Sequence, residues 1–316
     1  MILIAGIADE PPVAMAIEAA EECGVGHIVF DQRDHAEAGL SLALDPLEGW
    51  RARLTLQGRE IELHRLTGAY VRLMDERFLP DVRDLAEDAP ERQRAIRFHR
   101  MLLEWCNIAP IRIANRPRAM LSNTSKTFQA ELIRRCGFAI PETLVTNDPD
   151  AVLAFVENCA AEGDEVIYKS ISGARSIVQT FTAADRERLH RIRWCPTQFQ
   201  RKVRGTDMRV HVIGNRCFAT NIESKATDYR YSARETGEDA ELTATAIAPE
   251  WEGRCIRLAA ALDLSFAGID LRMTPGGEVV CFEANPSPAY SYYQSRTDAP
   301  IAQALVRWLA GEAQAG

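Results

Sequence analysis

Gly268-Ile269-Asp270-Leu271-Arg272 and Phe282-Glu283-Ala284-Asn285-Pro286 flank a turn at Pro275-Gly276-Gly277. Residues 267–273 and 278–283 read as the two strands of a hairpin, with turn residues between apolar runs. Side chains alternate along a strand, so Glu283 and Asn285 face the same way. Asp270 lies on the neighbouring strand. Three oxygen-bearing side chains therefore converge among Val279, Val280 and Phe282. Carboxylates in apolar surroundings are costly without a counter-charge. A hard cation such as Mg2+, which takes oxygen ligands and keeps phosphate oxygens and water, removes that cost. The competing reading is an edge hairpin with exposed polar residues.

A metal–phosphate site needs basic partners, and the chain offers two upstream. Lys169 stands in Ile167-Tyr168-Lys169-Ser170, inside an otherwise apolar strand over 166–170. Behind it runs Ser170-Ile171-Ser172-Gly173-Ala174-Arg175-Ser176, a loop of small residues able to lie over phosphates. Lys126 falls in the first turn of a helix read over 124–136, with Asn123 or Thr124 as N-cap and Gly137 as its stop. Only four lysines, at 126, 169, 202 and 225, stand beside 33 arginines. Codon bias accounts for the excess of Arg wherever any cation serves. A compact ammonium cannot be replaced by a guanidinium, so a retained lysine is informative. A salt-bridged surface lysine is the plain alternative for Lys126.

The third piece is Phe199-Gln200-Arg201-Lys202-Val203-Arg204-Gly205-Thr206-Asp207-Met208-Arg209-Val210-His211. One strand leaves at Phe199, and another begins near Asp207. The connection between them exposes backbone N–H and C=O groups able to read an adenine edge. Arg209 and His211 alternate with Met208, Val210 and Val212, so they share a face. For His211 a packed or substrate-lining histidine is the expectation, with no metal partner nearby.

The rest of the chain frames these pieces. It has 316 residues, 47% apolar and 26% charged, enough for a large core in two or three lobes. Met1–Ile7, a helix over 13–23 and a strand over 27–31 make a βαβ opening. No GxGxxG follows Gly6, so a dinucleotide site is not expected. Strands are also read at 68–73, 177–181, 197–200, 208–213 and 216–222, with a short β pair over 51–64. Helices are read at 90–105, 148–158, 250–262 and 297–309. Residues 108–120 read as a connection, and 141–145 as extended. The net charge of −8 argues against nucleic acid as a partner. Residues 186–234 nevertheless hold twelve Lys/Arg against four Asp/Glu, a local +8, which reads as an anion site or a solvated basic face. Eight scattered cysteines without CxxC, no signal peptide and no long apolar run point to a soluble cytoplasmic protein without membrane contact.

Taken in order, these residues resemble the ATP-grasp superfamily over about residues 115–311. Within it the chain is similar to the RimK-like group, above all to ligases that cyclise ribosomal peptides of the microviridin or graspetide kind. Pro141–Pro149, Cys195–Gly214 and Ala219–Ser224 followed by Asp228-Tyr229-Arg230 carry that closer likeness. The departure is Asn285-Pro286-Ser287-Pro288-Ala289-Tyr290-Ser291-Tyr292-Tyr293-Gln294, where those ligases have a shorter ending.

The resemblance implies an α/β ATP-grasp fold. It would comprise an N-terminal lobe over 1–114, a central lobe over 115–200 and a C-terminal lobe over 201–316. ATP would bind through Lys126 and Lys169 at the α/β phosphates, with Ser172 and Gly173 in the loop. Gln200, Arg201, Val203 and Asp207 would form the hinge, with the Arg201 and Val203 backbone reading adenine. Mg2+ would be held by Asp270, Glu283 and Asn285. Arg209 and Arg272 would stabilise charge developing on the transferred phosphoryl group. Asp228, Arg230, His211 and Tyr290 are the substrate candidates, and packing under the last helix is the alternative for the tyrosines.

The implied activity is ATP-dependent ligation of a carboxylate to an amine, hydroxyl or thiol through an acylphosphate, with C–N bonding foremost. Its partners would be ATP, a carboxylate-bearing peptide or small molecule, and a nucleophile. The composition leaves a homodimer open. A kinase on the same fold would instead release ADP and a stable phosphorylated acceptor. A non-catalytic nucleotide-binding protein would have no need of paired buried acids.

Overall fold

The computed structural model describes residues 1–47, 49–170, 178–224 and 238–312, Ser170 by its backbone alone. β1 (Ile2–Gly6) is buried at every position, as expected of a parallel strand covered on both faces. α1 (Pro11–Glu22) begins on prolines, whose fixed φ suits a first helical turn. It leads to β2 (His27–Asp31). β3 (Gly39–Asp45), β4 (Gly49–Leu56) and β5 (Arg59–Glu62) form a small antiparallel sheet. Gln57 and Gly58 take φ of 49° and 75°, as a two-residue hairpin turn requires. β6 (Gly68–Arg72), α2 (Pro90–Ile108) and β7 (Arg112–Ala114) complete the parallel order β2-β1-β6-β7.

β7 and the short α3 (Pro117–Met120) occupy the span read as a plain connection. Elements of three and four residues are too short for periodicity to declare them. α4 (Lys126–Arg135) is capped by Ser125, whose side chain accepts from the Phe128 N–H, rather than by Asn123 or Thr124. β8 (Thr143–Thr146), α5 (Pro149–Ala161), β9 (Val166–Ser170), β10 (Gln179–Thr180), α6 (Ala183–Arg188) and β11 (Thr197–Arg201) follow. Their strands form a second sheet ordered β10-β9-β11-β8.

The last sheet contains β12 (Thr206–Ile213), β13 (Arg216–Glu223), β14 (Glu241–Thr245), β15 (Phe266–Met273) and β16 (Val279–Asn285). Its order is β14-β13-β12-β15-β16, antiparallel throughout. α7 (Pro249–Ala261) covers one face through Cys255, Leu258 and Ala259. Ala119, Ile133 and Phe138 share that core, whereas the central sheet has its own around Val152, Phe199 and Leu189. Residues 117–138 therefore pack with the last sheet, although the expected boundary groups them with the central one. The closing helix read over 297–309 is two, α8 (Ser291–Thr297) and α9 (Ile301–Ala310), separated where Asp298 turns left-handed. α9 returns to the first lobe, where Leu305 and Leu309 join Ile2, Ile4, Val13 and Ala16. Among the described residues no helix is long and apolar enough to cross a membrane.

Candidate active site

Strand register assembles the site. On β12, β15 and β16, Arg209 pairs with Asp270 and Asp270 with Glu283, so the three form one row. His211, Gly268 and Asn285 form the next row, and Asp207 pairs with Arg272. The register shifts after Asp270, where β15 faces β16. Such bulges re-aim side chains at the ends of paired segments.

Cations meet both carboxylates. Arg209, only 5% exposed, sets Nη1 2.6 Å from Asp270 Oδ1. Lys126 Nζ lies 2.9 Å from Glu283 Oε2 and donates to Asn123 Oδ1 at the same distance. Burial by itself would push the Glu283 carboxyl up. The ammonium groups of Lys126 and Lys169, with Arg209 behind them, outweigh it and hold the group below its ordinary value. Both informative lysines, one from α4 and one from β9, thus act on one carboxylate. Asn285 Oδ1 accepts the Ser287 N–H at 3.0 Å, two residues along the chain.

The hinge is built from crossed ion pairs. Arg201 meets Glu142 at 2.7 Å, Glu162 at 2.6 Å and Asp164 at 2.9 Å. Its N–H donates to the Glu142 carbonyl, the Lys202 N–H donates to the Glu165 carbonyl, and Lys202 Nζ sits 2.8 Å from Glu165 Oε2. Gln200 is buried and donates to Thr143 Oγ1. Arg272 grips Asp207 with Nε and Nη2, at 2.7 and 2.8 Å, and donates Nη1 to the Val203 carbonyl. Asp207 and Arg272, expected in separate roles, are thus partners in a single clamp. Gly205, at φ 151°, lies so close to β15 that a Cβ would fall 2.1 Å from the Met273 carbonyl.

Two substrate candidates prove to be core residues. His211 is fully buried, edge-on to Tyr293 at 4.8 Å between ring centres. Burial, and then the Arg209 charge, holds its pKa well below the ordinary value, so the ring is neutral. Tyr290 is also fully buried and donates its hydroxyl to the Pro12 carbonyl at 2.5 Å. Both belong to the seam between the first lobe and the last sheet, which fits the packed alternative that the sequence left open for each. Ser172, Gly173, Asp228 and Arg230 lie outside the described residues, as do most of the small-residue loop and Lys225. A cavity of about 270 Å3 is lined by Tyr168, Phe181, Asp185 and Arg188, among others. Tyr168 and Lys169 alternate along β9, so this cavity opens away from the lysine.

Several positioning residues carry no motif. Gln129, on α4 and 1% exposed, donates Nε2 to the Ala284 carbonyl and accepts the Ala284 N–H through Oε1, at 2.9 and 3.0 Å. It extends the ladder of β16 at the residue between Glu283 and Asn285. The three-residue spacing from Lys126, which puts the two on one helix face, is the only signal the sequence offers. Asn115 is also buried. Its Oδ1 accepts the Phe266 N–H at 2.9 Å, and Nδ2 donates to the Phe266 and Pro286 carbonyls.

Among the described residues no three His, Cys, Asp or Glu side chains gather as a metal cluster. The site instead offers two carboxylates and an amide, a set that suits a hard divalent ion completed by phosphate oxygens and water.

Residues 123–309, more than half the chain, match the model of the RimK-like ATP-grasp domain. A curated relative in Hydrogenovibrio crunogenus, described as "Probable alpha-L-glutamate ligase", is 25% identical over 208 residues. The match spans 62% of this chain and 66% of the relative, just under two thirds of its length. Among solved structures, a RiPP-associated ATP-grasp ligase of Chryseobacterium gregarium, in complex with ADP and a leader and core peptide, superposes with a TM-score of 0.83. It is 19% identical, covering 99% of this chain and 97% of that one. The ATP-grasp ligase PsnB, complexed with minimal precursor, Mg and ADP, gives 0.76 at 26% identity, covering 98% and 96%.

Proposed function

The chain belongs to the RimK-like ATP-grasp family, and from that we propose an ATP-dependent ligase that activates a carboxylate of a peptide or amino-acid-like substrate. The observation that carries the reading is the row Arg209–Asp270–Glu283, with Lys126 and Lys169 acting on its outer carboxylate. Paired acids and two ammonium groups at one end of a hairpin suit a polyphosphate better than they suit a structural core.

Lys126 and Lys169 are assigned to the phosphates, which replace Glu283 as their partner. Val203, tethered through its carbonyl by Arg272, presents its N–H to adenine beside the Arg201 carbonyl. Asp270, Glu283 and Asn285 would hold Mg2+, which when bound supplies neutralising charge to the phosphate oxygens. The substrate carboxylate oxygen attacks the γ-phosphorus, the bond to the β,γ-bridging oxygen breaks and ADP leaves. Arg209, desolvated and fixed against Asp270, stabilises charge on the transferred group. The acylphosphate is then attacked at its acyl carbon by an amine, hydroxyl or thiol, which loses a proton as phosphate departs. A precursor peptide is the specific substrate that the solved relatives suggest, with an amide as the foremost product bond read from the sequence.

The test is ATP turnover with hydroxylamine, which traps an acylphosphate as a hydroxamate. Lys169→Ala and Glu283→Ala are expected to abolish turnover in folded protein. Retained turnover in both overturns the assignment. ADP formed with a stable phosphorylated acceptor identifies a kinase instead.

A further inference from the structure

Arg72 ends β6, at the carboxyl edge of the parallel sheet, where open α/β sheets receive ligands. Its guanidinium is mostly buried. Nε lies 2.9 Å from Glu10 Oε1, and Nη1 lies 2.7 Å from Ser287 Oγ and 3.3 Å from the Ser287 carbonyl. Ser287 is the residue whose N–H Asn285 accepts. A continuous chain of hydrogen bonds therefore runs from the phosphate site through Ser287 to Arg72 and Glu10. Two peptide steps separate Asn285 from Ser287, a span of at most about 7 Å. Among the described residues Nη2 of Arg72 has no partner, so half the fork remains for a ligand. Two residues back on the same face, Tyr70 is 4% exposed, and its hydroxyl lies beside the Arg72 guanidinium with no other described partner. A guanidinium fork with a tyrosine hydroxyl beside it, free to donate its proton outward, is the donor set for a carboxylate.

We propose that Arg72, with the Tyr70 hydroxyl, binds the carboxylate of the substrate and orients it toward the Asp270–Glu283–Asn285 end of the site. The proposal rests on the ligase reading and adds the residue that selects an acidic acceptor. It puts acceptor recognition on the first lobe, while the nucleotide is held by the other two. Clamping the lobes through Ser287 is the competing role for Arg72.

The experiment measures hydroxamate formation from ATP, hydroxylamine and an acidic hexapeptide library, each member carrying one Asp or Glu. Wild type is compared with Arg72→Ala, Arg72→Lys and Ser287→Ala, with ADP affinity and melting temperature measured alongside. If Arg72 binds the carboxylate, Arg72→Ala raises the peptide KM tenfold or more, while the ATP KM and ADP affinity hold. Arg72→Lys recovers part of the loss, and Ser287→Ala changes the peptide KM little. If Ser287→Ala reproduces Arg72→Ala, or Arg72→Ala lowers only the melting temperature, Arg72 is a clamp and the proposal falls while the ligase reading stands. If wild type binds ADP but yields no hydroxamate from any peptide or from free glutamate or aspartate, both fall.

Discussion

The Arg209 guanidinium occupies the space a side chain on Gly268 would fill. A Cβ at 268 would lie 2.0 Å from Arg209 Nη2 and 2.5 Å from its Cζ. Gly268 and Arg209 lie in neighbouring rows of the register, so the glycine is the floor across which the arginine reaches Asp270. Gly268→Ala should displace the guanidinium rather than the strand, because the far end of a side chain moves more easily than backbone. Overpacking of this kind costs about 1–3 kcal/mol. Turnover should fall nearly as far as in Arg209→Ala, and the double variant should be no worse than Arg209→Ala alone. Additive losses would mean that the two positions act separately.

Arg272 joins three parts of the hinge: β15, Asp207 on β12 and the Val203 carbonyl. Its planar fork serves Asp207 bidentately while a third nitrogen reaches Val203, a geometry lysine lacks. Arg272→Lys and Arg272→Ala should therefore both raise the KM for ATP, with smaller effects on kcat at saturating ATP. An unchanged KM with a collapsed kcat would instead put Arg272 at the phosphoryl group.

Asp185 gives a pH dependence with a defined sign. Burial pushes its carboxyl up, but hydrogen bonds from Thr182, Arg188 and Tyr168 outweigh it and hold the group down at about 2, from 3.8. A depressed carboxyl binds fewer protons folded than unfolded, so its contribution is complete above about pH 4 and lost as pH falls toward 2. Asp185→Asn should be less stable than wild type at pH 6 in urea unfolding, with the gap narrowing below pH 4. A gap that stays constant across that range would deny Asp185 the role.

The strands and the site differ in how far the sequence announces them. Asp270, Glu283 and Asn285 could be grouped because strand alternation is strict and the turn between them is strong. Lys126 and Lys169 stood out because lysine is scarce in the chain. Tyr290 lies beyond the end of β16, where no strand period applies, and alternation puts His211 on the site's face without saying where that face meets another lobe. The parallel sheet and α9 cover that end of it. Arg72 leaves no local trace and Gln129 only its spacing from Lys126, because the Ser287 and Ala284 partners lie 215 and 155 residues away. β3 and β14 lie outside the strands read from the sequence. Leu40, Leu42 and Leu44 do alternate along β3, but only three large apolar residues stand there and none is fully buried, while β14 offers only Leu242 and Ala244 among polar neighbours.

Gln129 allows the positioning of the acids to be separated from their chemistry. β16 is the edge of its sheet, so the N–H and C=O of Ala284 would be unpaired without the carboxamide from α4. Two buried backbone groups without partners cost about 1–3 kcal/mol each. Gln129→Leu fills the same volume and removes both bonds, so it should lower the melting temperature clearly. It should also loosen the segment holding Glu283 and Asn285, raising the Mg2+ concentration needed for half-maximal ADP binding. Glu131→Ala, on the same helix but largely exposed and, among the described residues, paired only with Arg134 and Arg135, supplies the control. Exposed pairs of that kind contribute about 0–1 kcal/mol, so the control should leave the Mg2+ requirement unchanged. If Gln129→Leu loses stability with no change in that requirement, the edge clamp serves the fold and the metal ligands are held from elsewhere.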